Sequence, residues 1–223
     1  RPIIADEKFE EDLKRDVRGV DVAILTRLPK GGHPTLHKTE FTTTNEKYLA
    51  DTREIMEQKL YTPDGKELTI FAVHLPAQHT DKTMRHEQLQ HIDQLTERLA
   101  KRMKNFIVAG DFNINSREER DDNIYANHLS SHLRVAHHQD GEEQVFANHG
   151  IKGTYHFSEW SFLDTFLYPS YLEKNIVRES LQLVNSLDEQ KWPDGNPRRF
   201  NPKFGTGVSD HFPLMMMLKF EEK

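Results

Sequence analysis

KNFIVAGDFNINS, residues 104–116, contains the transition on which the fold turns: Phe106 to Gly110 are apolar or small, and Asp111-Phe112-Asn113 follow at once. An apolar run of this length reads as a buried strand. Inside a sheet, an unpaired carboxylate or carboxamide would cost about 1–3 kcal/mol each. At the mouth of the strand the same groups can face a ligand. The stretch therefore predicts a core strand with polar residues placed at its exit.

Working outward, Leu89, Ile92, Leu95, Leu99 and Met103 recur at steps of three and four, which predicts a helix over Met84 to Met103 that delivers the chain to this strand. Before it, EIMEQKLY (residues 54–61) alternates and LTIFAVHL (68–75) is apolar, while TPDGKE (62–67) between them carries the Pro and Asp-Gly of a tight turn. These three segments form a predicted hairpin. VDVAILT (20–26) reads as a further strand, and the Ser116/Glu119 spacing predicts a short helix beginning with Ser116 as a capping box. GTYHF (153–157), WSFLDTFLY (160–168) and ESLQLVN (179–185) are strand-like. Lys191 to Gly207, rich in Pro, Gly and Asn, is a predicted surface loop. FPLMMMLKF (212–220) is apolar at nearly every position, the pattern of a strand covered on both faces. No internal repeat interrupts this order, so residues 1–223 are expected to form one domain.

A net charge of −6 argues against a broadly basic nucleic-acid-binding face, though not against a local basic cleft. The absence of cysteine removes disulfides, thiolate nucleophiles and zinc-thiolate sites, so any metal would have oxygen or imidazole ligands. No apolar run approaches the ~18 residues of a membrane span. The compartment stays open, secretion and the periplasm included. The chain opens on Arg1-Pro2 rather than methionine, which suggests that an upstream segment was cleaved or omitted.

Four strand-like segments carry polar residues that a strand does not need: His74 in FAVHL, Asp111 and Asn113 in GDFN, Asp164 in SFLD, and Asp210-His211 in GVSDHFPL. Singly, each has a bland reading as a satisfied histidine, a turn residue or a buried acid. Together they supply carboxylates for a hard cation, a carboxamide for a phosphoryl oxygen and two imidazoles for proton transfer. His128 and His132, four apart, read as a solvated helix face rather than a metal pair. Arg198, Arg199 and Lys203 read equally as a solvated basic patch or as a reach toward phosphate. Trp160 is open between core packing and stacking on a sugar or base.

GDFN, SFLD and GVSDHFPL, following FAVHL in this order, resemble the endonuclease/exonuclease/phosphatase superfamily of deoxyribonuclease-like phosphodiesterases. RGVDVAIL (18–25) and GTYHFSEWSFLD (153–164) extend the resemblance, toward its bacterial members, over nearly the whole chain. It implies a four-layer α/β sandwich with two face-to-face, mainly antiparallel sheets and a magnesium- or manganese-dependent site at one end. By that resemblance Asp111 orients or deprotonates the attacking water, Asn113 holds the phosphate, and His211 faces the scissile phosphate with Asp164 behind it. His74 contacts the phosphate or assists the leaving group, and Asp210 binds the metal. The substrate would be a phosphoester, nucleic acid included.

The chain departs from that pattern in lacking the family's first strand with its asparagine and a later strand ending in a metal-binding glutamate. Glu7, Glu10 and Glu11 sit in a charged stretch unlike those motifs. The N-terminal strands are thus expected to be absent, the metal site incomplete, and an edge or gap left beside Phe212 to Phe220. Besides a nuclease-like phosphodiesterase, two readings stay open: a phosphatase acting on phospholipid or inositol phosphate, and a non-catalytic binding domain that has lost its metal site.

Overall fold

The hairpin that the Asp64-Gly65 turn predicts is the seed of the main sheet. The computed structural model describes residues 22–50, 52–139 and 153–220, together with the strand residues 2–3 and 142–143. β1 (Pro2–Ile3) pairs antiparallel with β2 (Ile24–Leu25), shorter than the expected 20–26 strand since Val22, Ala23 and Thr26 lie outside it, followed by β3 (Thr35–His37) and a short α1 (Glu46–Leu49). β4 (Ile55–Tyr61) and β5 (Glu67–His74) form the hairpin, with Gly65 at φ 78° in its turn. α2 (Lys82–Ala100), capped by the Asp81 carboxylate accepting from Thr83 N–H, carries the chain to β6 (Asn105–Asp111). α3 (Ser116–Asp122), α4 (Ile124–His128), β7 (Leu133–Val135), and the pair β8 (His138–Gln139) and β9 (Glu142–Glu143) follow. The hairpin of β10 (Tyr155–Phe157) and β11 (Glu159–Ser161) leads into β12 (Asp164–Pro169), and β13 (Ile176–Leu183) pairs with β14 (Leu214–Leu218).

The main sheet has six strands in the order β3-β4-β5-β6-β12-β7. Every pairing is antiparallel except β5 with β6, whose parallel register requires the crossover that α2 supplies. Side chains alternate across β6, and both of its faces are covered. Phe106 and Val108 pack under Leu89, Ile92 and Leu95 of α2, together with Phe71, Val73 and Leu167. Ile107 and Ala109 pack on the other side against Ile176 and Leu181 of β13 and Leu214, Met216 and Leu218 of β14. This two-sided burial is why residues 106–110 read as a continuous apolar run. The order helix, six-stranded sheet, two-stranded sheet makes three of the four expected layers, and the fold is mixed α/β with mainly antiparallel strands.

Three local expectations are corrected. FPLMMMLKF is not covered on both faces: Met215 and Met217 are 41% and 50% exposed, because the main sheet covers only the face that Leu214, Met216 and Leu218 present. Among the described residues β14 pairs with β13 alone, so its other edge is open. The cap of α3 is Asn115, whose side chain accepts from Glu118 N–H, rather than Ser116, whose own N–H donates to Ser161 Oγ at 3.3 Å. WSFLDTFLY is broken at Phe162-Leu163, where the chain passes from β11 to β12 and Phe162 stacks on His137. The expected absence of the family's N-terminal strands falls mostly on residues outside those described, as do Glu7, Glu10 and Glu11.

At Gly110 the β5 backbone leaves no room for a side chain on β6. The glycine sits at φ 149°, and a Cβ there would overlap the Val73 carbonyl. Gly110→Ala is therefore expected to destabilise the protein by ~2 kcal/mol or more, against ~1 kcal/mol for Gly65→Ala in the open turn. Urea unfolding of the two variants measures the difference.

Candidate active site

The register of three strands assembles the site. In the parallel pairing His74 lies beside Asp111, and in the antiparallel pairing Asp111 lies opposite Asp164, so three strands end side by side in polar residues. His74 Nε2 is 3.5 Å from Asp111 Oδ2. His211 enters from the far end of the chain, where Phe212 N–H donates to the Thr154 carbonyl at 2.7 Å and the Tyr155 ring lies 4.8 Å from the imidazole. Its Nδ1 then meets Asp164 Oδ2 at 2.6 Å. Thr154, fully buried, also accepts the Asp164 N–H through Oγ1 at 3.1 Å, so one residue anchors Asp164 and the residue next to His211.

Asn113 follows Asp111 in a left-handed turn at φ 50°. Its backbone N–H donates to Asp111 Oδ1 at 2.8 Å, and its Nδ2 donates to the Leu75 carbonyl at 2.9 Å. The turn thereby aims the Asp111 carboxylate and ties the loop after β6 to the loop after β5. A second set of bonds reinforces the tie. Gln78 Nε2 donates to the Asn113 carbonyl, and Arg85, buried on α2, donates to Ala77 O at 3.2 Å and to Glu118 Oε1 of α3 at 2.6 Å. Asn115 Nδ2 closes the set on Gln78 Oε1 at 2.9 Å.

Electrostatics sets Asp111 apart. Burial pushes its carboxyl up, the facing Asp164 pushes it further, and the acid is held at about 7 despite the nearby His211. His211 moves upward as well: burial opposes its charge, but the hydrogen bond to Asp164 and the surrounding carboxylates outweigh it. The result is a carboxyl that exchanges its proton near neutrality beside an imidazole that favours being charged.

The structure thus brings His74, Asp111, Asn113, Asp164 and His211 together. Among the described residues, the atoms close enough to share one cation belong to Asp111, Asp164 and His211, all within 4.8 Å of one another. The two carboxylates suit a hard divalent ion without selecting one, whereas His211, bonded through Nδ1 to Asp164 and favouring its charged form, lends no lone pair to it. Asp210, the expected metal ligand, is not in this group; its half-exposed carboxylate lies 3.8 Å from Arg199 Nε. His132 lies beyond α4 and bonds Thr96 Oγ1 at 3.1 Å, while His128 stacks on His86, so the two do not share a helix face. The network residues Gln78, Arg85 and Glu118, and the clamp Thr154, carry no signal in the sequence. Arg85 and Glu118 look there like ordinary charged helix positions, and only the contact between α2 and α3 buries the one and partly covers the other.

Comparison of the whole fold points one way. Truncated TDP2 from Caenorhabditis elegans superposes with a TM-score of 0.56 at 12% identity, covering 88% of this chain and 69% of that one. D. rerio TDP2 complexed with single strand DNA product gives 0.56 at 16% identity, with 87% and 69% covered. A humanized D. rerio TDP2 gives 0.58 at 16%, with 87% and 68% covered. No family model and no curated protein matches the sequence. The TDP2 structures have the endonuclease/exonuclease/phosphatase fold, so this chain has the fold that GDFN, SFLD and GVSDHFPL imply. At 12–16% identity the likeness is one of fold.

Two measurements test the site's physics. Asp111 is raised in the folded state, so its ionisation costs stability that is intact below the ordinary carboxylate range and lost as pH rises toward about 7. In metal-free buffer Asp111→Asn should match the parent below about pH 4 and exceed it by about 2–4 kcal/mol at pH 8. Glu118→Ala should cost ~3 kcal/mol or more in denaturant unfolding, because it strands the buried Arg85 guanidinium.

Proposed function

We propose that the chain is a divalent-metal-dependent phosphoester hydrolase of the nuclease-like phosphodiesterase kind. The observation that carries the reading is the 2.6 Å Asp164–His211 bond set directly beside the raised Asp111. Supporting it are the shared fold with TDP2 structures, one of them complexed with single strand DNA product, and the order of motifs along the chain.

In this reading a phosphoester lies across the ends of β5, β6 and β12. Asp111 takes the proton of the attacking water, a task suited to a carboxyl whose proton leaves near neutrality. Asn113 keeps that carboxylate aimed through its backbone N–H and offers its remaining Nδ2 hydrogen to a phosphoryl oxygen. Asp164 bonds Nδ1 of His211, fixing the ring so that Nε2–H faces the phosphate, and favours the imidazolium that stabilises the developing negative charge. His74, beside Asp111, contacts the phosphate or assists the departing oxygen. The magnesium or manganese implied by the fold would be held by the carboxylates of Asp111 and Asp164. Asp210, half-exposed with Arg199 Nε at 3.8 Å, would add a further carboxylate oxygen. When bound, such an ion neutralises phosphate charge and lowers the pKa of water.

The test is a panel of bis(p-nitrophenyl) phosphate, plasmid DNA, a single-stranded oligonucleotide and phosphoinositides, each with magnesium, with manganese and with chelator. Hydrolysis of the phosphodiesters is expected, supported by either metal and abolished by chelator. Asp164→Asn and His211→Ala should lower kcat by about 10²–10⁴-fold while the far-UV spectrum is retained. The rate should rise as Asp111 ionises, at or below about pH 7, and fall as His211 loses its proton. Turnover of phosphoinositides alone would replace the nuclease reading by a lipid phosphatase. No turnover of any substrate would leave a binding domain.

A further inference from the structure

Both tryptophans of the chain, Trp160 and Trp192, line a single cavity of about 950 Å³, together with Asn185, Ser186, Asp188 and Arg198. Trp192 belongs to the WPDGNP turn of the segment joining β13 to β14, where Trp192 N–H donates to the Asn196 carbonyl at 2.8 Å. The Arg198 guanidinium lies over its indole, 4.7 Å from the ring centroid, and makes no ion pair among the described residues. Trp192 remains 49% exposed. Trp160, on β11, stacks on Phe212 at an interplanar angle of 16°. Phe212 follows His211 in the chain, so the Trp160 wall of the cavity is linked to the candidate active site through one stacked ring. The same segment returns to the site through Val208, whose N–H donates to the Arg198 carbonyl at 2.9 Å.

An indole with a guanidinium stacked on it, beside a second indole, is a surface for a flat ring. Asn185, Ser186 and Asp188 add donors and acceptors at its edge, the complement that a nucleobase presents. The charged lining, Asp188 and Asp194 against Lys191 and Arg198, is balanced and does not single out a phosphate, and an inositol ring has no π-face to stack. A base within a duplex has both faces covered and its pairing edge occupied, and the net charge of −6 offers no broad attraction for one.

We infer that this cavity binds an unpaired nucleobase of the substrate, next to the phosphate held by Asp111 and His211. The inference deepens the hydrolase reading and rests on it for the position of the phosphate. The base can belong to a single strand or to a free nucleotide.

Because Trp160 and Trp192 are the chain's only tryptophans, tryptophan fluorescence excited at wavelengths where the six tyrosines do not absorb reports on the residues of this cavity. The full chain is titrated in chelator, so that binding is read without turnover, with a short single-stranded oligonucleotide, a nucleoside monophosphate, a duplex of the same sequence, and ribose 5-phosphate as the base-free control. Saturable quenching by the oligonucleotide but not by ribose 5-phosphate is expected. Equal affinity for the monophosphate would assign the cavity to free nucleotides, and much weaker affinity would assign it to strands. Arg198→Ala should weaken the quench about tenfold, and Trp160→Phe should leave a signal from Trp192 that still responds. Equal quenching by ribose 5-phosphate, tighter binding of the duplex, or no change with any probe overturns the proposal. The hydrolase reading fails separately: loss of bis(p-nitrophenyl) phosphate turnover with quenching intact sinks that reading and leaves the base site standing.

Discussion

The site depends on the register by which Asp111 of β6 stands beside His74 of β5 and opposite Asp164 of β12. Two carboxylates on neighbouring strands, partly withdrawn from water, repel each other, which works against the charged form of the more buried Asp111. Asp164 is relieved by His211 at 2.6 Å. Asp111, facing Asp164 and the more distant Nε2 of His74, bears the remaining cost as a proton held at about 7. The same condition makes it a base near neutrality and leaves a position where added positive charge would be favourable.

A strained electrostatic arrangement persists only on a scaffold that does not yield. β6 is buried on both faces, by α2 on one side and by β13 and β14 on the other. The loops that follow β5 and β6 are not free: Asn113, Gln78, Arg85 and Glu118 bond them to each other and to two helices. Thr154 performs the same service on the far side, holding Asp164 and Phe212. The segment from Asn185 to Val208 is built differently, from turns and exposed aromatic rings, and it borders the site rather than supporting it. Chemistry on rigid strand ends with recognition on a loop is the usual division of labour in layered folds.

Charge placement also bears on the metal. Asp111, Asp164 and His211 offer donors close together, yet Asp164 and His211 are already bonded to each other, so Asp111 is the carboxylate least committed to a cationic or protonated partner. Asp210, half-exposed with Arg199 Nε at 3.8 Å, lies outside that close group. A donor set of this kind suits a hydrated divalent ion, which keeps several waters and needs few protein oxygens.

Much of the scaffold is legible in the sequence because its causes are local. The Asp64-Gly65 turn, the three-and-four spacing from Leu89 to Leu99 and the uninterrupted run 106–110 each report a backbone shape or a covered face, and β4, β5, α2 and β6 follow them closely. Polar residues at strand ends likewise mark His74, Asp111, Asn113, Asp164 and His211 as candidates, since a strand has no use for them. What the sequence leaves undetermined is whatever rests on contact between distant segments. MMM in β14 reads as buried on both sides, but only Met216 faces the main sheet. Arg85 becomes buried, with the half-buried Glu118 as its partner, only when α2 meets α3, and Asp210 comes within 3.8 Å of Arg199 only through the path of the loop. The proton affinity of Asp111 belongs to the tertiary structure for the same reason, since a carboxyl's pKa is set by the charges and the solvent around it, and those are supplied by residues far away along the chain.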